Sequence, residues 1–372
     1  MDNLIRVAFS PTIFDSQKEG GISRYYFQLI TGLMNHENIG VYLEERIRDR
    51  NYIAQMNGEN LHFFNDFDRR AIFPNINFAT KHRINGLQKI IPHIVHETFY
   101  GSTYFKSAPK SSIKILTVYD LIDEIYSIRS LKFSKKQPSL RLANHVICIS
   151  ETTKQDLVNI LKYPENKISV IKLAPFPLNI PSQPEILIKN LNFEEKKYFL
   201  YVGVRESYKN FNRTLLAFRN FLKYRNDFKY VVFGGGEFME SELRMINELN
   251  LEDYIVRVQG DDQELRNLYK SAFALIYPSI YEGFGMPPLE SLSLDTPVII
   301  ANTSSSREIL GNESAVYFQA DNEDDLLRAL LELVNNKDLY DKKIVAGRIV
   351  SQKYSWHKCV SETANLYREL MN

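Results

Sequence analysis

Short runs of β-branched and aromatic residues alternate along this chain with longer stretches whose apolar positions recur at helical spacing. Strand-like runs in the first half occupy residues 4–9, 61–64, 94–96, 113–119, 145–149 and 168–173. The second half offers 198–204, 230–234, 255–259, 273–277, 298–301 and 315–318. Amphipathic patterns follow many of them, as at 22–33, 151–161, 214–224 and 325–334. Asp261 with Glu264 three residues later predicts a capping box opening a further helix. Such alternation predicts an α/β chain with parallel sheets covered by helices on both faces.

The pattern breaks once. Residues 174–184 carry Pro175, Pro177, Pro181 and Pro184, which exclude a helix or a central strand. The sheet pattern then restarts. The expectation is two doubly wound Rossmann-like domains, 1–174 and 197–355, joined by a proline-rich linker at 175–196. Ligands of such sheets bind outside the carboxyl ends of the strands. Two domains in tandem are therefore expected to face each other across a cleft that holds the site. The last segment, 356–372, is amphipathic.

Composition narrows the function classes. At 372 residues with 44% apolar content the chain can fill two cores. Its formal charge of +1, from 46 basic and 45 acidic residues, argues against a dedicated nucleic-acid binder. Cys148 and Cys359 lie far apart, form no metal-type cluster and suit a reducing compartment. The first nine residues look like a strand, not a signal peptide. No apolar stretch approaches a membrane span. The expected location is the cytoplasm, with peripheral contact at the inner membrane face as a further option. Two acid-free basic stretches motivate that option: Arg69, Arg70, Lys81, Arg83 and Lys89, then Arg129, Lys132, Lys135, Lys136 and Arg141.

The chemistry concentrates in residues 281–290, Tyr-Glu-Gly-Phe-Gly-Met-Pro-Pro-Leu-Glu. Glu282 and Glu290 stand eight residues apart, directly after an apolar run. The order predicts strand, tight loop and helix start, with glycines for close backbone approach and a proline in the first turn. Amides of Phe284, Gly285 and Met286 would suit an anion, and the carboxylates would suit neutral hydroxyls. Phosphate with hydroxyls describes a sugar nucleotide, although an ordinary strand–turn–helix with solvated glutamates fits the spacing as well. Arg205 and Lys209 follow the strand at 198–204 and either neutralise a diphosphate leaving group or are simply solvated. Gly20-Gly21 opens a helix after the first strand, as a phosphate-facing loop or a plain turn would. Gly234-Gly235-Gly236 ends another strand. Asp66-Phe67-Asp68 offers a rival, metal-binding Asp-x-Asp signal, but without the donor pattern that would accompany it.

Residues 281–290 resemble the Glu-x7-Glu motif of the retaining glycosyltransferases of family 4, which have the GT-B fold of two Rossmann-like domains. The likeness extends over Thr296-Pro297-Val298-Ile299, over Ser304-Ser305-Ser306 with Arg307-Glu308, and over Gly311-Asn312. Upstream it includes Gly203-Val204-Arg205 with Lys209-Asn210. It is strong in the C-terminal half and local in the N-terminal half.

The resemblance implies a nucleotide diphosphate sugar donor, a glycan or lipid-linked glycan acceptor, and no metal or other cofactor. Arg205, Lys209, Gly21 and the amides of Phe284, Gly285 and Met286 would hold the phosphates, Glu290 the ribose, and Glu282 the sugar. His96 would be the imidazole that touches the sugar. Asp120 would orient sugar or acceptor hydroxyls, and the segment 356–372 would pack back on the first domain. Two departures stand out: Tyr119 replaces the common His before Asp120, and Asp295 the common Gly before Thr-Pro. The Tyr119 region is similar to bacterial O-antigen mannosyltransferases, hence an expectation of mannose. A sugar-nucleotide epimerase and a non-catalytic sugar-nucleotide binder remain as alternatives.

Overall fold

The computed structural model describes residues 4–17, 20–49, 51–56, 58–64, 86–126, 134–176, 194–205 and 207–372. The chain divides into two compact units, Met1–Leu173 with Ser355–Asn372, and Ala174–Tyr354. Among the described residues, each unit holds one parallel sheet. The first is built from β1 (Ile5–Phe9), β2 (Ile39–Glu44), β3 (Leu61–Phe64), β4 (Ile94–Glu97), β5 (Ile113–Val118), β6 (His145–Cys148) and β7 (Ile168–Val170). The second contains β8 (Tyr198–Val202), β9 (Lys229–Phe233), β10 (Ile255–Val258), β11 (Ala274–Tyr277), β12 (Val298–Ala301) and β13 (Val316–Phe318).

Strand orders are β3-β2-β1-β4-β5-β6-β7 and β10-β9-β8-β11-β12-β13. Both reverse direction once, between β1 and β4 and between β8 and β11, as doubly wound Rossmann-like sheets do. Twelve of these strands coincide with the runs expected from sequence, within a few residues at their ends. The exception is β2, where Gly40 interrupts the β-branched run and weakens the signal. A Cβ at Gly40 would lie 3.0 Å from Leu4 Cδ2, so the leucine side chain would have to shift slightly to admit one. Asp261 and Glu264 form the expected capping box on the helix Asp262–Ser271.

The second unit is packed around buried Phe199, Phe218, Phe221 and Phe228, linked by ring contacts, with buried Phe211 joined to them through the Tyr230 ring. In the first unit the helix Trp356–Met371 packs on the helix Gly21–Met34. Their approach is close because Gly32 has no side chain, and a Cβ there would lie 2.4 Å from Val360. Below that contact, Tyr367 Oη lies 2.6 Å from His96 Nδ1, while His96 Nε2 lies 2.8 Å from Thr117 Oγ1. Burial drives the His96 pKa down to about 3.

A folded-state pKa far below the usual histidine value fixes the sign of a pH effect. Below about pH 6.5 the unfolded chain accepts a proton that folded His96 refuses. The contribution is therefore complete above pH 6.5 and is lost progressively as pH falls toward 3, by about 1.4 kcal/mol per pH unit. Trp356, the chain's one tryptophan, reports unfolding of this unit. Urea titrations followed by its fluorescence should show that acid slope, and His96→Gln should flatten it. An unchanged slope would place the proton uptake elsewhere.

Candidate functional site

The second sheet reverses between β8 and β11, the point at which ligands of doubly wound sheets bind outside the strands' carboxyl ends. From β8 the chain passes Gly203, at φ 124°, to a single 3-10 turn, Ser207–Lys209. Asn210 follows in the left-handed region, φ 57°, at the position before the helix Phe211–Phe221, without a side-chain capping bond. Its side-chain amide donates to the carbonyls of Ala320 (2.6 Å) and Pro278 (3.4 Å). From the β11 side, the Ile280 amide donates to the Tyr208 carbonyl at 2.9 Å. These bonds stitch the two loops together and bring Lys209 Nζ to 2.5 Å from Glu282 Oε1. The side chains are 14% and 16% exposed, so the pair is sheltered but reachable. The ammonium also lies over the Tyr208 and Tyr277 rings, at 5.1 and 5.6 Å. Burial, then the neighbouring Glu282 charge, raises the Tyr277 hydroxyl well above the usual range, so it stays protonated.

Gly285 turns the chain into the helix Met286–Ser293 at φ 91°, a conformation that favours glycine. Pro287 and Pro288 lack an N–H, so of the first four amides at this terminus only Gly285 and Met286 can donate outward. The anion-directed end is thus narrower than the motif suggests. Phe284 is buried, edge-on to Tyr354. Glu290 lies on the buried face of the helix and accepts from the Tyr269 hydroxyl at 2.9 Å. Glu282 is held on the loop by Lys209, and Glu290 one helical turn inside by Tyr269. Asp295 sits at φ 59°, the left-handed turn expected of it, and pairs with Arg348.

Arg205 differs from the sequence expectation of a cation pair with Lys209. Its side chain is 3% exposed and faces inward. It donates to Glu242 (2.8 Å) and to the carbonyls of Gly234 (3.0 Å), Gly236 (3.3 Å) and Glu237 (2.6 Å). The three glycines after β9 have φ of 81°, 71° and 72°. A Cβ on Gly235 would lie 2.6 Å from Arg205 Nη1 and 2.8 Å from the Gly203 carbonyl. Arg205 therefore braces a glycine turn against the end of β8.

In the first unit, Gly21 begins the helix Gly21–Met34 and a Cβ there would meet nothing within 4 Å. His96 is not on a surface: it is wholly buried, with both ring nitrogens engaged as described. A ring so enclosed offers no atom to a sugar in this conformation. Tyr119 is buried and donates to the Thr98 carbonyl at 3.2 Å. Asp120, just past β5, accepts from the Ile122 amide (3.1 Å) and lies 3.8 Å from Lys136 Nζ. Lys136 does not belong to an exposed basic patch. It is 1% exposed and bonded to Glu124 at 2.8 Å, leaving Lys89, Lys135 and Arg141 exposed. Arg69, Arg70, Lys81, Arg83, Arg129, Lys132 and the pair Asp66 and Asp68 lie outside the described residues.

Sequence reasoning missed a polar cluster at the β1/β4 reversal. Glu97 accepts there from Ser10 Oγ (2.6 Å) and Thr12 Oγ1 (2.8 Å), and the Thr98 amide donates to Ser10 Oγ. It also missed Tyr208, Tyr269, Tyr277 and Glu242.

Residues 182–349 match the family described as glycosyl transferases group 1. The chain is 28% identical over 240 residues to O-antigen chain mannosyltransferase B of Escherichia coli, covering 62% of each chain. It is 30% identical over 219 residues to O-antigen chain mannosyltransferase RfbU of Salmonella typhimurium strain LT2, covering 56% of this chain and 57% of that one. The matches thus span about three fifths of these relatives' length. A glycosyltransferase of Rickettsia africae ESF-5 superposes over 100% of both chains with a TM-score of 0.76 at 18% identity. The fold is the architecture of two Rossmann-like domains termed GT-B.

Two ion pairs of the second unit, Arg205–Glu242 and Lys209–Glu282, should respond differently to mutation. Glu242→Ala strands a buried guanidinium and should cost about 3–5 kcal/mol. Glu282→Gln, at a pair that keeps some contact with solvent, should cost less than Glu242→Ala. Thermal unfolding followed by circular dichroism checks both. A Glu242→Ala protein as stable as the parent would remove the bracing role.

Proposed function

We propose that the protein is a retaining glycosyltransferase, of the kind grouped as family 4. It would move a hexosyl group from a nucleoside diphosphate donor to a hydroxyl of a glycan or lipid-linked glycan. One observation carries the reading: Lys209 and Glu282 are held side by side at the reversal point of the second sheet, within the segment that matches glycosyl transferases group 1. One group suits phosphate and the other suits sugar hydroxyls. The names of the two O-antigen relatives favour mannose as the sugar and cell-surface polysaccharide assembly as the setting.

In this reading the bond between the anomeric carbon and the phosphate oxygen breaks while the acceptor oxygen bonds the same carbon. Negative charge grows on the departing phosphate. Lys209 and the amides of Gly285 and Met286 meet it there, which lowers the barrier because these groups are already oriented. The departing phosphate takes the acceptor's proton on the face it leaves, so configuration is retained. Glu282 orients the sugar through its hydroxyls and forms no covalent intermediate. Glu290 receives the ribose hydroxyls, with Tyr269 steadying its carboxylate. Arg205 acts on the donor only through the turn it braces. The charge on Lys209 and the two amides does the work that a metal does in other transferases, so no metal is assigned. Among the described residues no helix is long and apolar enough to cross a membrane. The proposed place of work is the cytoplasm, at the inner membrane face where the acceptor is lipid-linked.

Thermal unfolding with GDP, UDP, ADP and their sugar conjugates tests the donor. A ligand at a hundred times its Kd adds about 2.7 kcal/mol to the native state, so the true donor should stand out. Lys209→Ala and Glu290→Ala should shrink that shift, while Glu282→Ala should lower kcat more than it raises KM. No stabilisation by any nucleotide would overturn the assignment.

A further inference from the structure

We infer that Glu282 sets the preference of the site between a sugar-bearing diphosphate and a bare one, by sharing Lys209 with the ligand. The inference rests on the donor reading above and deepens it. Lys209 is already paired within the chain, with its Nζ 2.5 Å from Glu282 Oε1. Both groups are sheltered, where a charge at this distance is weakly screened. The stretches of chain that carry them are tied together. The Asn210 bonds to Pro278 and Ala320, and the Ile280–Tyr208 bond, fix the two loops relative to each other.

A phosphate that reaches Lys209 therefore also meets the Glu282 carboxylate. The two ligand classes differ in what they offer it. A sugar-esterified diphosphate brings hydroxyl donors to that carboxylate, and its outer phosphate carries roughly one negative charge. A bare nucleoside diphosphate brings no such donor, and its terminal phosphate carries about −1.5 to −2 near neutral pH. Glu282 thus attracts the first and repels the second. The buried Tyr277 hydroxyl beside the pair stays protonated and adds no negative charge of its own. The consequence is early release of the spent nucleotide after transfer.

Isothermal titration of the full chain with GDP, UDP, ADP and inorganic pyrophosphate tests this, using the parent, Glu282→Gln, Glu282→Asp and Lys209→Gln proteins. Glu282→Gln should bind the bare nucleoside diphosphate tighter, on the order of three- to tenfold, with the gain shrinking at high salt. The matching sugar conjugate should gain nothing, so the ratio of the two affinities falls. Glu282→Asp keeps the charge and should hold the parent's preference, which separates electrostatics from a folding defect. Lys209→Gln should weaken both ligands. If the parent binds nucleoside diphosphate but Glu282→Gln binds it no tighter, the inference is overturned while the donor reading stands. If no diphosphate binds the parent, the donor reading falls and the inference with it.

Discussion

The reversal of strand order between β8 and β11 is the constraint on which the candidate site depends. Neighbouring strands whose following helices lie on opposite faces send their loops apart, and the gap between them cannot be filled by either helix. Lys209 and Glu282, separated by 73 positions in the chain, become neighbours only there. The stitching is done by main-chain and amide groups, chiefly the Ile280–Tyr208 bond and the Asn210 side chain. Charged groups then sit on a frame that other bonds hold. The frame does not rely on the ion pair, which leaves the pair available to a ligand.

Elsewhere the protein uses ionisable side chains as structure. Arg205 fills its donors with Glu242 and three carbonyls, so that three successive glycines can hold a left-handed course. Lys136 is sealed beside Glu124, and the neutral ring of His96 joins Tyr367 to Thr117. A buried charge is tolerated only where it is paired and hydrogen-bonded, and these groups are. Each sits at or just past the end of a strand or in the loop that follows, where functional residues also gather. Position along the chain therefore does not separate a brace from a ligand-binding group; the direction of the side chain does.

The first unit shows the same economy at long range. His96 meets Tyr367 across 271 positions, and Gly32 admits Val360 where any larger residue would collide. The helix Trp356–Met371 is amphipathic on sequence grounds alone. Its seat depends on a glycine in a helix and a histidine in a strand, neither of which carries a local sign of that partnership.

What the sequence determined by itself was local and periodic. Twelve strands, the capping box at Asp261, the left-handed Asp295 and the strand–loop–helix course of residues 281–290 follow from residue-level preferences that neighbours in the chain enforce. The tertiary structure decided which charges face each other. Arg205 and Lys209 stand four residues apart and look equivalent, yet one turns under a glycine loop and the other toward Glu282. It also withdrew His96 and Lys136 from any surface and gave Glu290 its Tyr269 partner. The physical reason is that a side chain's partner is set by where non-local strands end, and the desolvation cost of a charge depends on that partner far more than on the residues beside it in sequence.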